Sequence, residues 1–172
     1  MAKATGSDVY PNIITGRLTM SAANTLTFSE INVGLNLFDK AALLIQRIEL
    51  TPSTTALADL DTDVDNFTFG LTASNQIADL QVDRAEVIDS VQVEADLIGA
   101  VVSKQLHVCP WIHDFSGLRG GGILIPPKPL YAAGVSFGMT IAGVFFWRLY
   151  MNVIRLQPDE YLELLETRRA FG

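Results

Sequence analysis

From Leu130 to Trp147 eighteen residues pass without a charge, with Lys128 and Arg148 on either side. Such a run has two physical solutions. One is a single helix across a bilayer, which takes about 20 apolar residues. The other is buried sheet, in which side chains alternate with a period of two. Gly134 and Gly138 give the G-x-x-x-G spacing of packed membrane helices, but Ser136, Thr140 and three glycines dilute the run. Val135, Phe137, Met139 and Ile141 alternate with Ser136, Gly138, Thr140 and Ala142. Phe145, Trp147, Leu149, Met151 and Val153 then share a face opposite Arg148, Tyr150 and Asn152, with no regard for a bilayer boundary. Two strands joined by a tight hairpin at Gly143 account for more of these residues than a helix does. A single membrane span is the lesser alternative.

Other strands follow from the same periodicity. Arg17 to Phe28 reads as two short runs around a Ser-Ala-Ala-Asn break, a strand pair or one bent strand. Ile31, Val33, Leu35 and Leu37 fall on one face and predict a half-buried strand. Ala41 to Leu50 fits a strand with Leu44, Ile48 and Leu50 on one face, or a short helix through Leu44, Ile45 and Ile48; the stop at Thr51-Pro52 favours the strand. Ser53 to Asn66 reads as an acidic loop, Phe67 to Leu71 as a brief strand, and Val91, Val93 and Ala95 alternate with polar neighbours. Gln105 to Phe115 begins as a strand that Pro110 interrupts, and Ile123 to Pro129 is a proline-stiffened connector. At the end, Pro158, Asp159 and Glu160 suit a helix start, Tyr161, Leu164 and Leu165 form a stripe, and Arg168 and Arg169 suit the last turn.

Apolar residues make up 49% of the chain and charged ones 18%, against about 25% charged in an average soluble domain. Without a membrane span, that deficit asks for a large area buried against partners. The net charge of −7 is unevenly spread. Eleven acidic residues and one basic one, Arg84, lie between Glu49 and Asp96. From Val101 to Gln157 five basic residues face Asp114 alone. Complementary halves suit head-to-tail contact between identical subunits, although two solvated faces would give the same pattern. The first residues, MAKATGSD, form neither a basic arm nor a signal peptide, so direct nucleic-acid binding is not expected and synthesis in a cytoplasm is. Cys109 is the single cysteine and closes no intrachain disulfide.

Candidate sites are sparse. Asp59, Asp61, Asp63 and Asp65 alternate, as carboxylates converging on Ca²⁺ would, but an EF-hand loop needs Gly and Glu where Val64 and Gly70 stand. A weak cation site competes there with a solvated acidic loop. His107, Cys109 and His113 could begin a zinc site, with Asp114 assisting, but lack a fourth Cys or His. A packed cysteine with two ordinary histidines explains them more simply. Gly120-Gly121-Gly122 has no Lys-Ser/Thr after it, and no catalytic triad or acid–base pair is evident. No cofactor is expected. Trp111, Phe115, Phe145, Phe146, Trp147 and Tyr150 could line a carbohydrate or nucleobase site, but such residues are more often core or interface anchors; the interface candidates are Phe146, Tyr150, Tyr161, Leu164, Leu165 and Arg168.

Eight strand candidates predict an all-β fold, an eight-stranded jelly-roll-like β-sandwich with a short C-terminal α-helix. A single domain would span 1–172, with an arm over 1–16 and the helix over 158–169. This pattern, with GGILIPPKPLY over 121–131 and the ending EYLELLETRR over 160–169, resembles small single jelly-roll coat proteins of viruses. The resemblance implies a capsid subunit that assembles with copies of itself in the virion, with other virion proteins as further partners and a membrane surface open as a contact. It departs from coat proteins that carry a basic N-terminal arm. A β-sandwich binding module, for carbohydrate or calcium-assisted adhesion, is the rival from another class. A cupin-like metal enzyme comes third.

Overall fold

The computed structural model describes residues 11–34, 41–60, 65–81, 83–98, 101–103, 110–126 and 128–170. Within these, the strands are β1 (Asn12–Thr19), β2 (Thr27–Ile31), β3 (Ala41–Pro52), β4 (Asn66–Thr72), β5 (Val87–Glu94), β6 (Asp96–Ile98), β7 (Val101–Ser103), β8 (Trp111–Asp114), β9 (Ile123–Ile125), β10 (Leu130–Phe137) and β11 (Val144–Arg155). Two helices, α1 (Thr54–Ala58) and α2 (Pro158–Ala170), complete the described elements. Sheet I runs β1-β11-β3-β8, with β9 also on β3; sheet II runs β2-β10-β4-β5; β6 and β7 form a separate ribbon. Every pairing is antiparallel. Because β8 lies along Arg47–Leu50 and β9 along Leu43–Ile45, the two share one position, and the sandwich has four positions in each sheet. This is the jelly-roll arrangement, with the short C-terminal helix after it.

The core lies between the sheets. Phe145 of β11 stacks on Phe69 of β4 at 5.0 Å and 30°, and Phe67 meets Phe69 at 4.8 Å. Trp111 of β8 meets Phe69 edge-on at 5.9 Å. Leu18, Leu43, Ile45, Ile48, Leu50 and Leu149 close the layer from sheet I. The alternation of Phe145, Trp147, Leu149 and Met151 into the core is as the sequence predicts.

Several local expectations are corrected. In β3 the register slips between Tyr150 and Met151 of the neighbouring strand, so Gln46 is an extra residue. The core face is therefore Leu43 and Ile45 before the bulge and Ile48 and Leu50 after it, and Leu44 turns to the other side. The bulge is what made the segment resemble a helix.

In β10 the faces are the reverse of those predicted. Leu130, Ala132, Gly134 and Ser136 point inward, while Val135 is half-buried and Phe137 is 62% exposed. Small residues suit the closely packed space there: a Cβ on Gly134 would lie 3.1 Å from Leu18 and 3.5 Å from Phe145. The two late strands are no hairpin either. β10 belongs to sheet II and β11 to sheet I, so residues 138–143 cross between the sheets. The positive φ lies at Gly138 (+79°), and Gly143 is required by packing, since a Cβ would press on Phe67 and Met20.

The predicted strand over Ile31–Leu37 ends where it was to begin. Asn32 accepts a hydrogen bond from the Gly34 amide at 2.8 Å and Gly34 has φ +72°, a turn that closes β2; Leu35 and Leu37 lie outside the described residues. Arg17–Phe28 is split between β1 and β2 in opposite sheets, and Asn12–Gly16, read as arm, already belongs to β1. Finally, the loop after Ser53 contains α1, capped by the Ser53 hydroxyl accepting from the Ala56 amide at 3.0 Å.

Candidate subunit interface

Antiparallel register places directly paired side chains on the same face, so the outer surface of sheet I reads off row by row. One row is Arg17–Phe146–Thr51, the next Thr15–Arg148–Glu49–Ile112, and the third Ile13–Tyr150–Arg47–Asp114. Glu49 is the centre. It accepts hydrogen bonds from Arg47 at 2.5 Å, Arg148 at 3.2 Å and the Tyr150 hydroxyl at 3.1 Å, and only 8% of it reaches solvent. The Arg47 guanidinium also lies 5.1 Å from the Tyr150 ring centroid, a cation–π contact. A carboxylate held by two arginines and a phenol is a rigid polar hub rather than a free charge.

Around the hub, apolar side chains stand in water: Ile13 is 56%, Ile112 48% and Phe146 47% exposed. Phe145 and Phe146 therefore divide as adjacent strand residues must, one into the core and one out. Beside Phe146 an open cleft of about 500 Å³ is lined by Thr15, Arg17, Glu49, Pro110 and Arg148. Of the other predicted anchors, Tyr150 belongs to the hub, whereas Tyr161 is buried within the chain. The side chains of Leu164, Leu165 and Arg168 lie outside the described part.

The outer surface of sheet II differs in sign. Glu30 pairs in register with Tyr131, and Glu94 with Asn66 beside Phe137. The loop 73–86 brings Asp79 and Asp83 to a cleft of about 510 Å³ with Val135, Thr68 and Gln92. Asp79 is bound bidentately by Arg84 at 2.5 and 2.6 Å, and that hydrogen bond holds its carboxyl below the usual range.

The acidic run does other work. Asp59 closes the 138–143 crossing: its carboxylate accepts from the Thr140 and Ile141 amides at 2.8 and 3.0 Å and from the Thr140 hydroxyl at 2.5 Å. Burial pushes its carboxyl up, but these hydrogen bonds outweigh that and hold it below its ordinary value. Asp65 is buried, 2% exposed, with its backbone carbonyl accepting from the Ala95 amide. Asp61 and Asp63 lie outside the described residues, as do His107 and Cys109. Among the described residues no group of three or more His, Cys, Asp and Glu side chains is placed to hold a metal.

His113 instead pairs with Asp89 of β5 at 2.5 Å, a bond from sheet I to sheet II at one edge of the sandwich. Sequence reading missed this pair because Asp89 and His113 are 24 residues apart and only the sheet stacking joins them. Burial pushes the Asp89 carboxyl above its usual range, against the pull of His113 and the Ser90 amide. The native state thus holds this proton more tightly than the unfolded chain. The associated stability is full at acid pH and is lost as pH rises through the native pKa. Asp89→Asn removes that loss, so its melting temperature relative to wild type should climb between pH 4 and pH 7. A difference that is flat or falls across that window would remove this account.

Comparison with known proteins places the fold. No protein-family model matches the chain, and no curated protein matches it in sequence. In structure it is similar to VP1 of Trichodysplasia spinulosa-associated polyomavirus, solved in complex with GM1 oligosaccharide, with TM-score 0.54 and 8% identity over 91% of this chain and 99% of that one. Merkel cell polyomavirus VP1, solved in complex with disialyllactose, gives TM-score 0.53 and 8% identity over 91% and 99%. Both are viral capsid proteins. The likeness is one of fold: this chain is a jelly-roll sandwich similar to those of viral capsid proteins.

Proposed function

We propose that this chain is a coat subunit that builds a viral shell through contacts between copies of itself, its place being the virion. The observation that carries this reading is the outer face of sheet I. A ring of exposed Ile13, Ile112 and Phe146 surrounds a rigid Arg47–Glu49–Arg148–Tyr150 hub. That is the anatomy of an interface, with apolar anchors and a polar network whose hydrogen bonds are made in advance. The space between the sheets is filled by Phe67, Phe69, Phe145 and their neighbours, which argues against a ligand chamber of the cupin kind. The likeness to polyomavirus VP1 supports the same reading.

Light scattering coupled to size exclusion, followed by electron microscopy of the high-mass fraction, tests it. Closed particles or uniform capsomers at micromolar concentration are the expected result. A monodisperse monomer at every concentration and salt would sink the proposal.

A further inference from the structure

The two outer faces of the sandwich are complementary. On sheet I, Arg17, Arg47 and Arg148 outnumber Glu49 and Asp114, and Glu49 is already committed to two of the arginines. Arg17 is exposed, makes no ion pair among the described residues, and stands in register with exposed Phe146. On sheet II, Glu30, Asp83 and Glu94 are exposed and form no ion pair among the described residues, since Arg84 is taken by Asp79. That face too carries apolar surface, in Val135 and the 62%-exposed Phe137.

Resting on the reading of the chain as a shell subunit, we infer that sheet I of one copy docks face to face on sheet II of the next. The Phe146 patch then covers the Phe137 patch, and the arginine-rich rim meets the acidic one. The alternatives are two-fold contacts. Sheet I on sheet I would oppose arginine with arginine, and sheet II on sheet II would oppose carboxylate with carboxylate. Electrostatics disfavours both. A head-to-tail contact is heterologous, so each copy uses both faces and the repeat closes into a ring when its rotation allows. Charge steers such a contact at moderate salt, where screening acts over roughly 10 Å.

Charge reversal in the full chain tests this. Arg17→Glu alters one face, and Asp83→Lys with Glu94→Lys alters the other. Each should weaken association by roughly tenfold or more in sedimentation at low salt. All three changes in one chain recreate complementarity with reversed sign and should restore assembly. Unchanged melting temperatures verify that the monomer is intact. Should a reversal lower them, Arg17→Gln and Asp83→Asn carry the same comparison at smaller amplitude. Failure of the triple variant to recover overturns the inference, as does a loss from only one of the two faces, which marks a two-fold contact. A wild type that assembles and ignores every change also overturns the inference but leaves the shell reading standing. A wild type that never associates overturns the shell reading itself.

Discussion

Phe145→Ala should cost the fold about 3–5 kcal/mol, the range for emptying a buried phenylalanine site. The ring is fully buried, stacks on Phe69 and meets Phe67 at 6.5 Å. Phe145 hangs from sheet I, and both partners belong to sheet II. The truncation therefore removes the contact that joins the layers, and neither neighbour can follow the lost volume without leaving its own strand. Against a total stability of roughly 5–15 kcal/mol, such a loss takes about a fifth or more. Urea denaturation measures it directly. A loss below about 1 kcal/mol would mean that the aromatic layer is not what holds the sheets together.

Gly70→Ala should be nearly as harmful, for a reason that has nothing to do with hydrophobicity. Gly70 faces Ser90 across the β4–β5 pairing, and a Cβ there would sit 2.1 Å from the Asp89 carbonyl oxygen and 2.8 Å from the Ser90 Cα. Both obstacles are backbone, so nothing can swing aside, and β5 must peel from β4. The expected loss is at or above the upper end of the roughly 1–3 kcal/mol typical of overpacking. Gly134→Ala is the control, because its nearest obstacle is the tip of Leu18 at 3.1 Å, a side chain able to shift. Equal melting temperatures for the two variants would contradict the β4–β5 register.

The jelly-roll sandwich and its C-terminal helix were legible in the sequence. The alternation in β11 could be read because β11 is a central strand with one face wholly in the core. β10 could not, for a physical reason. Where it faces the aromatic layer its inward residues, Ala132, Gly134 and Ser136, are small, and a hydrophobicity pattern assigns the larger Val135 and Phe137 to the core. In β3 one inserted residue at Gln46 shifts the period midway, and periodicity has no way to count a bulge whose partner strand is unknown. Of the residues on the outer face of sheet I, the candidate interface, Phe146 and Tyr150 were named from the sequence. Ile13, Arg17, Arg47, Glu49 and Ile112 were not, because they become neighbours only through pairing across β1, β11, β3 and β8. A signal was present in the chain: Arg47, Glu49 and Arg148 are charges within largely apolar strands.

The position of β11 between β1 and β3 also sets an order of events in time. Among the described strands of sheet I, β1 pairs only with β11, which begins at Val144, so β1 waits unpaired until those later residues have been made. Contacts of such long sequence separation form slowly. Each row of the sheet I surface draws on residues more than a hundred positions apart, such as Arg17 and Phe146. If the chain is the shell subunit proposed above, an unfinished copy has no docking face to offer, and copies become adhesive to one another only after they have folded.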